Sequence, residues 1–200
     1  MKKNIMILPS LAFMLAMAAC GADEKSEQAT PGQEKNDDIK VSKTEKKMQS
    51  EPFTVLVDLK DSKGQTTGTA ELEETEEGVR VHVKAEGLPE GSHGFHFHET
   101  GVCEAPDFKS AGDHFNPDEK KHGLETEGGP HAGDMPNLEV GKDGSVDDEF
   151  TAKHVTLEKG QPNSLFQDSG TALVIHAGED DGETQPSGDS GDRIVCGVIK

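Results

Sequence analysis

Basic residues are scarce. Residues 51–200 hold 12 Lys and Arg against 32 Asp and Glu, a formal charge of −20. Such a surface repels phosphate backbones and anionic headgroups, so nucleic acid and acidic lipid are poor partners. Tryptophan and tyrosine are missing, and the aromatic complement is eight phenylalanines. No apolar run is long enough to cross a bilayer comfortably; the longest, Ile5–Ala19, falls short of the roughly 20 residues required. Helical periodicity is almost absent, and there is no internal repeat. Cysteine occurs three times, at 20, 103 and 196.

The short apolar run has a different use. "MKK", then "NIMILPSLAFMLAMAAC", is a basic start followed by an apolar stretch and small residues, the layout of a secretory signal. It ends in "MAAC", like a lipoprotein processing box, although Met17 stands where leucine is usual. We therefore expect a signal peptide over 1–19, lipidation at Cys20, and a protein exported and held at the extracytoplasmic side of a membrane. Residues 20–50 are rich in Lys, Glu, Gln and Ser with little to bury, which predicts a disordered tether about 30 Å across. Residues 51–200 amount to one domain. With Cys20 lipidated, Cys103 and Cys196 remain as a disulfide or as two thiols. A bridge over so long a loop would contribute about 4–5 kcal/mol in the chain-entropy picture.

That domain reads as strands. "FTVLVDLK" (53–60) alternates, and "GVRVHVKAEG" (78–87) sets Val79, Val81 and Val83 against Arg80, His82 and Lys84. "TALVIHA" (171–177) and "RIVCGVIK" (193–200) are short β-branched runs, and "DSKGQ", "EEG", "LPEG" and "KDGS" supply turns. The pattern predicts an all-β antiparallel sandwich or barrel. Two long loops, 99–145 and 177–192, interrupt it, and loops of that length inside a compact domain are usually functional.

The nine histidines, at 82, 93, 96, 98, 114, 122, 131, 154 and 176, all lie in this domain. "HGFHFHETG" interleaves His96 and His98 with Phe95 and Phe97, so a strand there turns the phenylalanines to one face and the histidines to the other. The histidine face suits either a metal site or a polar surface. His114 follows in "SAGDHFNP", His122 in "KHG", His131 and Asp134 in "PHAGD", and His176 in "LVIHAGEDD". Three histidines with one aspartate make a closed tetrahedral set for zinc, and four histidines suit Cu(II). One imidazole, having two ring nitrogens, could serve two metals.

"GFHFH", "SAGDHFNP", "HG…PHAGD", "LVIHAGEDD" and "GDRIVCGVI", in this order and covering essentially all of 53–200, resemble the copper–zinc superoxide dismutases. The segment "GVCEAPDFKSAG" looks more like the bacterial secreted members. The resemblance implies a Greek-key antiparallel β-barrel over 51–200 with long metal-binding and active-site loops. It also implies dismutation of superoxide to oxygen and hydrogen peroxide. Copper would be held by His96, His98, His114 and His176, and zinc by His114, His122, His131 and Asp134, with His114 shared. Asp180 would orient ligands of both metals, Arg193 would receive the anionic substrate beside the copper, and Cys103 and Cys196 would form a disulfide. His114 and Arg193 are thereby the expected catalytic residues. Family members occur as dimers and as monomers, so a homodimer is left open.

A non-catalytic lipoprotein that stores or delivers copper and zinc would need the same ligands but gives no reason for Arg193. His82, His93 and His154 fall outside the ligand set and read as solvated or packing residues. Loop 177–192 has no lysine to draw in an anion, which predicts weak steering unless Lys109, Lys120 or Lys121 folds near the channel.

Overall fold

The computed structural model describes residues 53–200; the expected signal peptide, Cys20 and tether lie outside them. Nine strands follow in chain order: β1 Thr54–Asp61, β2 Thr66–Thr75, β3 Gly78–Ala85, β4 Gly91–His93, β5 Phe95–His98, β6 Leu138–Val140, β7 Val146–Ala152, β8 Thr171–His176 and β9 Arg193–Ile199. One 3₁₀ turn, Lys109–Ala111, is the only helical element among the described residues. Seven strands form one antiparallel sheet in the order β5-β8-β9-β1-β2-β3-β7. The β4–β6 pair connects its two edges, because β4 runs into β5 through Gly94 and β6 lies beside β7. The all-β architecture expected from the sequence is therefore present as a curled antiparallel sheet.

Alternation fills its interior. Val79, Val81 and Val83 are fully buried, as are Leu59, Ala70, Leu72, Phe95, Phe97, Leu173 and Ile175. Two strands of the seven-stranded sheet lie where no strand was expected. β2 (TTGTAELEET) and β7 (VDDEFTA) flank β3 and carry acidic residues on their outer faces, which hides the inward Ala70, Leu72, Val146 and Ala152 in a polar sequence. β6 falls inside the stretch 99–145 that was expected to be loop throughout.

β8 is buried on both faces. Leu173 and Ile175 join the barrel core, while Ala172 and Val174 pack outward with Phe108, Ala111 and Cys196 under the first long loop. The Cys103–Cys196 disulfide ties that loop to β9. An apolar layer thus lies outside the sheet as well as inside it, and the site is built there.

Candidate metal centre

β5 resolves the choice left open by alternation. Phe95 and Phe97 enter the core, and His96 and His98, on the opposite face, are also fully buried. What covers them is loop, paired onto the strand by its backbone. Phe97 N–H donates to Gly133 O at 2.9 Å, and its carbonyl accepts from Phe115 N–H at 2.8 Å. Isolated bridges align His98 with His114 and His96 with Asp134. β8 pairs with β5 and ends at His176, which stands opposite Arg193 of β9.

Two groups of side chains meet as a result. His96, His98, His114 and His176 bring one nitrogen each to within 4.8 Å of the others, and His114, His122, His131 and Asp134 do the same with one atom each. Hydrogen bonds decide which atom each histidine presents. His98 Nδ1 is 3.0 Å from Gly112 O and His176 Nδ1 is 3.2 Å from Gly191 O. Both contacts turn Nε2 inward, and the two Nε2 atoms stand 3.4 Å apart. His96 is anchored the other way round, by Nε2 at 2.6 Å from Asp180 Oδ2, leaving Nδ1 free.

In the second group, three Nδ1 atoms surround one oxygen, Asp134 Oδ1: His114 at 2.9 Å, His122 at 3.1 Å and His131 at 3.3 Å. Zinc–nitrogen bonds of about 2.0–2.1 Å place tetrahedral ligands about 3.3 Å apart, close to these spacings. The other oxygen, Asp134 Oδ2, accepts backbone N–H groups of Gly123 and His131, each at 3.0 Å.

These donor sets fit metal ions on a further ground. Among the described residues, three buried side-chain atoms have no hydrogen-bond partner: His96 Nδ1, His114 Nε2 and His131 Nδ1. His131 Nδ1, although near Asp134, lies outside hydrogen-bond geometry. Buried polar atoms ordinarily find partners, and all three of these face a cluster centre where a cation would satisfy them. His114 belongs to both groups, Nδ1 in one and Nε2 in the other.

Asp180 links the groups from behind. Its Oδ2 holds His96 and its Oδ1 holds His122 Nε2 at 2.9 Å. Asn137 fixes Asp180 in turn by a reciprocal pair: its Nδ2 donates to Asp180 O and its Oδ1 accepts Asp180 N–H, both at 2.9 Å. Gly188 closes the arrangement at φ +67°; a Cβ there would collide with Asp180 Oδ1. Nothing in "MPNLEV" marks Asn137 as the residue that holds Asp180; its role appears only when the two loops meet.

The electrostatics of the metal-free protein follow from these contacts. Burial holds His176 down to about 3 and His114 down to about 4, and pushes His98 and His96 below the ordinary imidazole value. Burial also opposes charge on His122, but its hydrogen bonds to Asp134 and Asp180 outweigh that and raise it to about 9. Burial works against ionisation of Asp134 as well. Its hydrogen bonds from His114 and His122 nevertheless hold it far below the usual carboxylate range.

A cleft of about 370 Å³ opens onto the four-histidine group, lined by His98, His114, His176 and Arg193 among others. Arg193 is held by two carbonyls, Phe108 O at 2.8 Å and Gly112 O at 2.7 Å. Gly112 O therefore serves both His98 and Arg193, a coupling that the spacing in "SAGDH" does not announce. Phe108 adopts φ 54°, a left-handed conformation unusual for a bulky residue, while its ring is buried. Of the lysines considered for steering, Lys109 lines a neighbouring cleft and pairs with Asp107 at 3.0 Å; Lys120 and Lys121 line neither.

The three remaining histidines have other surroundings. His82 pairs with Asp147 on the outer face of β3, His154 is exposed, and His93 is buried between the carbonyls of Pro89 and His176.

Comparison with known proteins agrees with this geometry. A family profile described as copper/zinc superoxide dismutase matches residues 66–199. A protein named superoxide dismutase [Cu-Zn] 1 from Aquifex aeolicus is 51% identical over 144 residues, covering 72% of this chain and 85% of the relative. A superoxide dismutase-like protein from Bacillus subtilis is 44% identical over 171 residues, covering 84% and 87%. The crystal structure of a SOD-like protein from B. subtilis aligns with a TM-score of 0.71 at 44% identity, covering 72% of this chain and 97% of that one. With the profile spanning most of the domain and relatives of this identity matched over most of their length, the chain belongs to the copper/zinc superoxide dismutase family.

Proposed function

We propose that this chain dismutes superoxide to oxygen and hydrogen peroxide, with copper held by His96, His98, His114 and His176 and zinc by His114, His122, His131 and Asp134. The observation that carries the reading is His114, a single buried imidazole whose two nitrogens face two different donor sets. Copper would supply the one-electron chemistry in both directions, and zinc, which has none, would order the loop.

The chain's own groups account for the rest. Arg193 keeps its charge under all ordinary conditions and stands beside His98 and His176, where it would pair with a small anion. Its two carbonyl contacts fix the guanidinium at the wall of the cleft, where a small anion would meet it. Conversion of superoxide to peroxide consumes two protons. His114 Nε2 would carry one of them only while it is not held by copper, and the solvent-open cleft can supply the other. Asp180 holds His96 and His122 in fixed orientations, so neither ring needs to reorganise during turnover.

Export and anchoring through a lipid on Cys20 belong to the same proposal, supported by the layout of residues 1–20. The test is superoxide consumption by the full chain loaded with both metals, compared with Arg193→Ile. The parent should be active. The variant should keep both metals and lose about tenfold in kcat/KM, as expected for removal of one charge-assisted contact to the substrate. A metal-replete parent with no activity would favour the storage lipoprotein instead.

A further inference from the structure

The walls of the substrate cleft carry an unexpected charge balance. Apart from histidines, its charged lining residues are Arg193, Glu99 and Asp113, one cation against two carboxylates. Glu99 is fixed there. Its side chain lies against the α-carbon of Gly112, and its Oε1 accepts Asp113 N–H at 3.3 Å. The peptide it covers is the one whose carbonyl holds both His98 and Arg193. Asp113 is near enough to Arg193 for its charge to act on the guanidinium. Beyond the cleft, loop 177–192 adds Glu179, Asp181, Glu183, Asp189 and Asp192 and no base.

We propose that Glu99 and Asp113 form an anionic collar that opposes entry of superoxide and other small anions, leaving Arg193 as a short-range receptor without long-range attraction. The inference rests on the reading of this cleft as the substrate channel. Its consequence is an inverted salt response. Added salt screens the exposed collar more than the buried metal charge behind it, and the collar lies in a strongly negative domain. The association rate should therefore rise, or stay level, as salt is added. The same carboxylates would discriminate by charge, disfavouring dianions more than monoanions.

The experiment uses the full chain carrying both metals, with Glu99→Gln, Asp113→Asn and the double variant. Neither residue contacts a metal-facing nitrogen, and glutamine keeps an acceptor for Asp113 N–H. The first readout is kcat/KM for superoxide from about 10 to about 300 mM ionic strength. The double variant should exceed the parent about three- to fivefold at the low end and converge with it at the high end, the size expected for two solvent-screened charges. The second readout needs no turnover: the azide dissociation constant of the Cu(II) form, followed by its charge-transfer absorption. It should tighten by a similar factor in the double variant at low salt, and each single variant should supply part of the gain. A parent rate that falls steeply with salt would overturn the collar, as would azide affinities unchanged by either substitution. Inverted azide behaviour without superoxide consumption would uphold the collar and remove the dismutase reading, so the two fail separately.

Discussion

His96, His98 and His176 stand on β5 and β8, strands whose residues are all buried, whereas His122, His131 and Asp134 come from chain with no regular secondary structure. The first set is positioned by a ladder of backbone hydrogen bonds and by core residues on the alternate positions. The second is tied to β5 by one isolated bridge at Asp134 and is otherwise positioned by polar contacts: three imidazoles and two backbone N–H groups converge on Asp134, Asp180 holds His122, and Asn137 and Gln185 hold the ends. Both sets are buried, but only the first is also held by a strand ladder and core packing. Loss of the cation should therefore loosen the loop cluster more than the strand cluster. His114, with one nitrogen in each, ties a preformed half to a half that a metal completes.

Asp134→Asn tests that asymmetry most severely. The substitution removes the charge to which three histidines turn, and breaking a buried charged cluster on one side costs about 3–5 kcal/mol. Zinc affinity should fall by orders of magnitude, and the melting temperature should drop with it. Hydrogen exchange should then show protection lost across 113–137 while β8 stays protected. Equal loss in both would mean the strand cluster is not preformed.

Asp180→Asn should act more mildly but on both halves. An amide keeps one acceptor and places a donor at the second position, and its two flips share the loss of an orienting partner between His96 and His122. Loss of such a partner costs about 10- to 100-fold in metal affinity. Competition with a chelator should show both copper and zinc weakened, and Gly188→Ala, which pushes a Cβ onto Asp180, should shift both in the same direction. A change confined to one metal would show that the two halves are independent.

How far the sequence could be read follows the same division. β1, β3, β8 and β9 were legible because each shows its apolar residues plainly. β2 and β7 were not, because acidic outer faces dilute the alternation of Ala70, Leu72, Val146 and Ala152. His96 and His98 raised the question of a metal through strand periodicity. Spacing alone gave no assurance that His122 or Asp134 would meet them, since loop ligands converge through contacts made in three dimensions; the family resemblance supplied that expectation. The supports were illegible for the same reason. Gly112, Phe108 and Asn137 act through backbone or amide groups, and a carbonyl that binds both an imidazole and a guanidinium leaves no trace in side-chain chemistry.

The smallest expected effect is a count of protons, and it separates the halves at single-atom level. In the metal-free protein His122 presents Nδ1 to Asp134 and Nε2 to Asp180, two acceptors for two N–H groups, consistent with a value raised to about 9. A raised histidine stabilises the fold fully below its unfolded value near 6.5 and loses that contribution as pH climbs through about 9. His114 and His176, held down to about 4 and about 3, behave oppositely: their contribution stands above 6.5 and is lost as pH falls toward those values. At pH 7.5 zinc must therefore displace about one proton, from His122, while copper entering alone meets neutral imidazoles and displaces almost none. Copper entering the zinc-loaded protein should release about one, because His114 then surrenders its remaining N–H to serve both ions. Titration calorimetry in two buffers of different ionisation enthalpy reads all three numbers. Apparent zinc affinity should also rise about tenfold per pH unit up to about 9 and level off above it. Equal release by zinc and by copper added alone would erase the distinction between the halves, and no release at the second step would mean that His114 does not bridge.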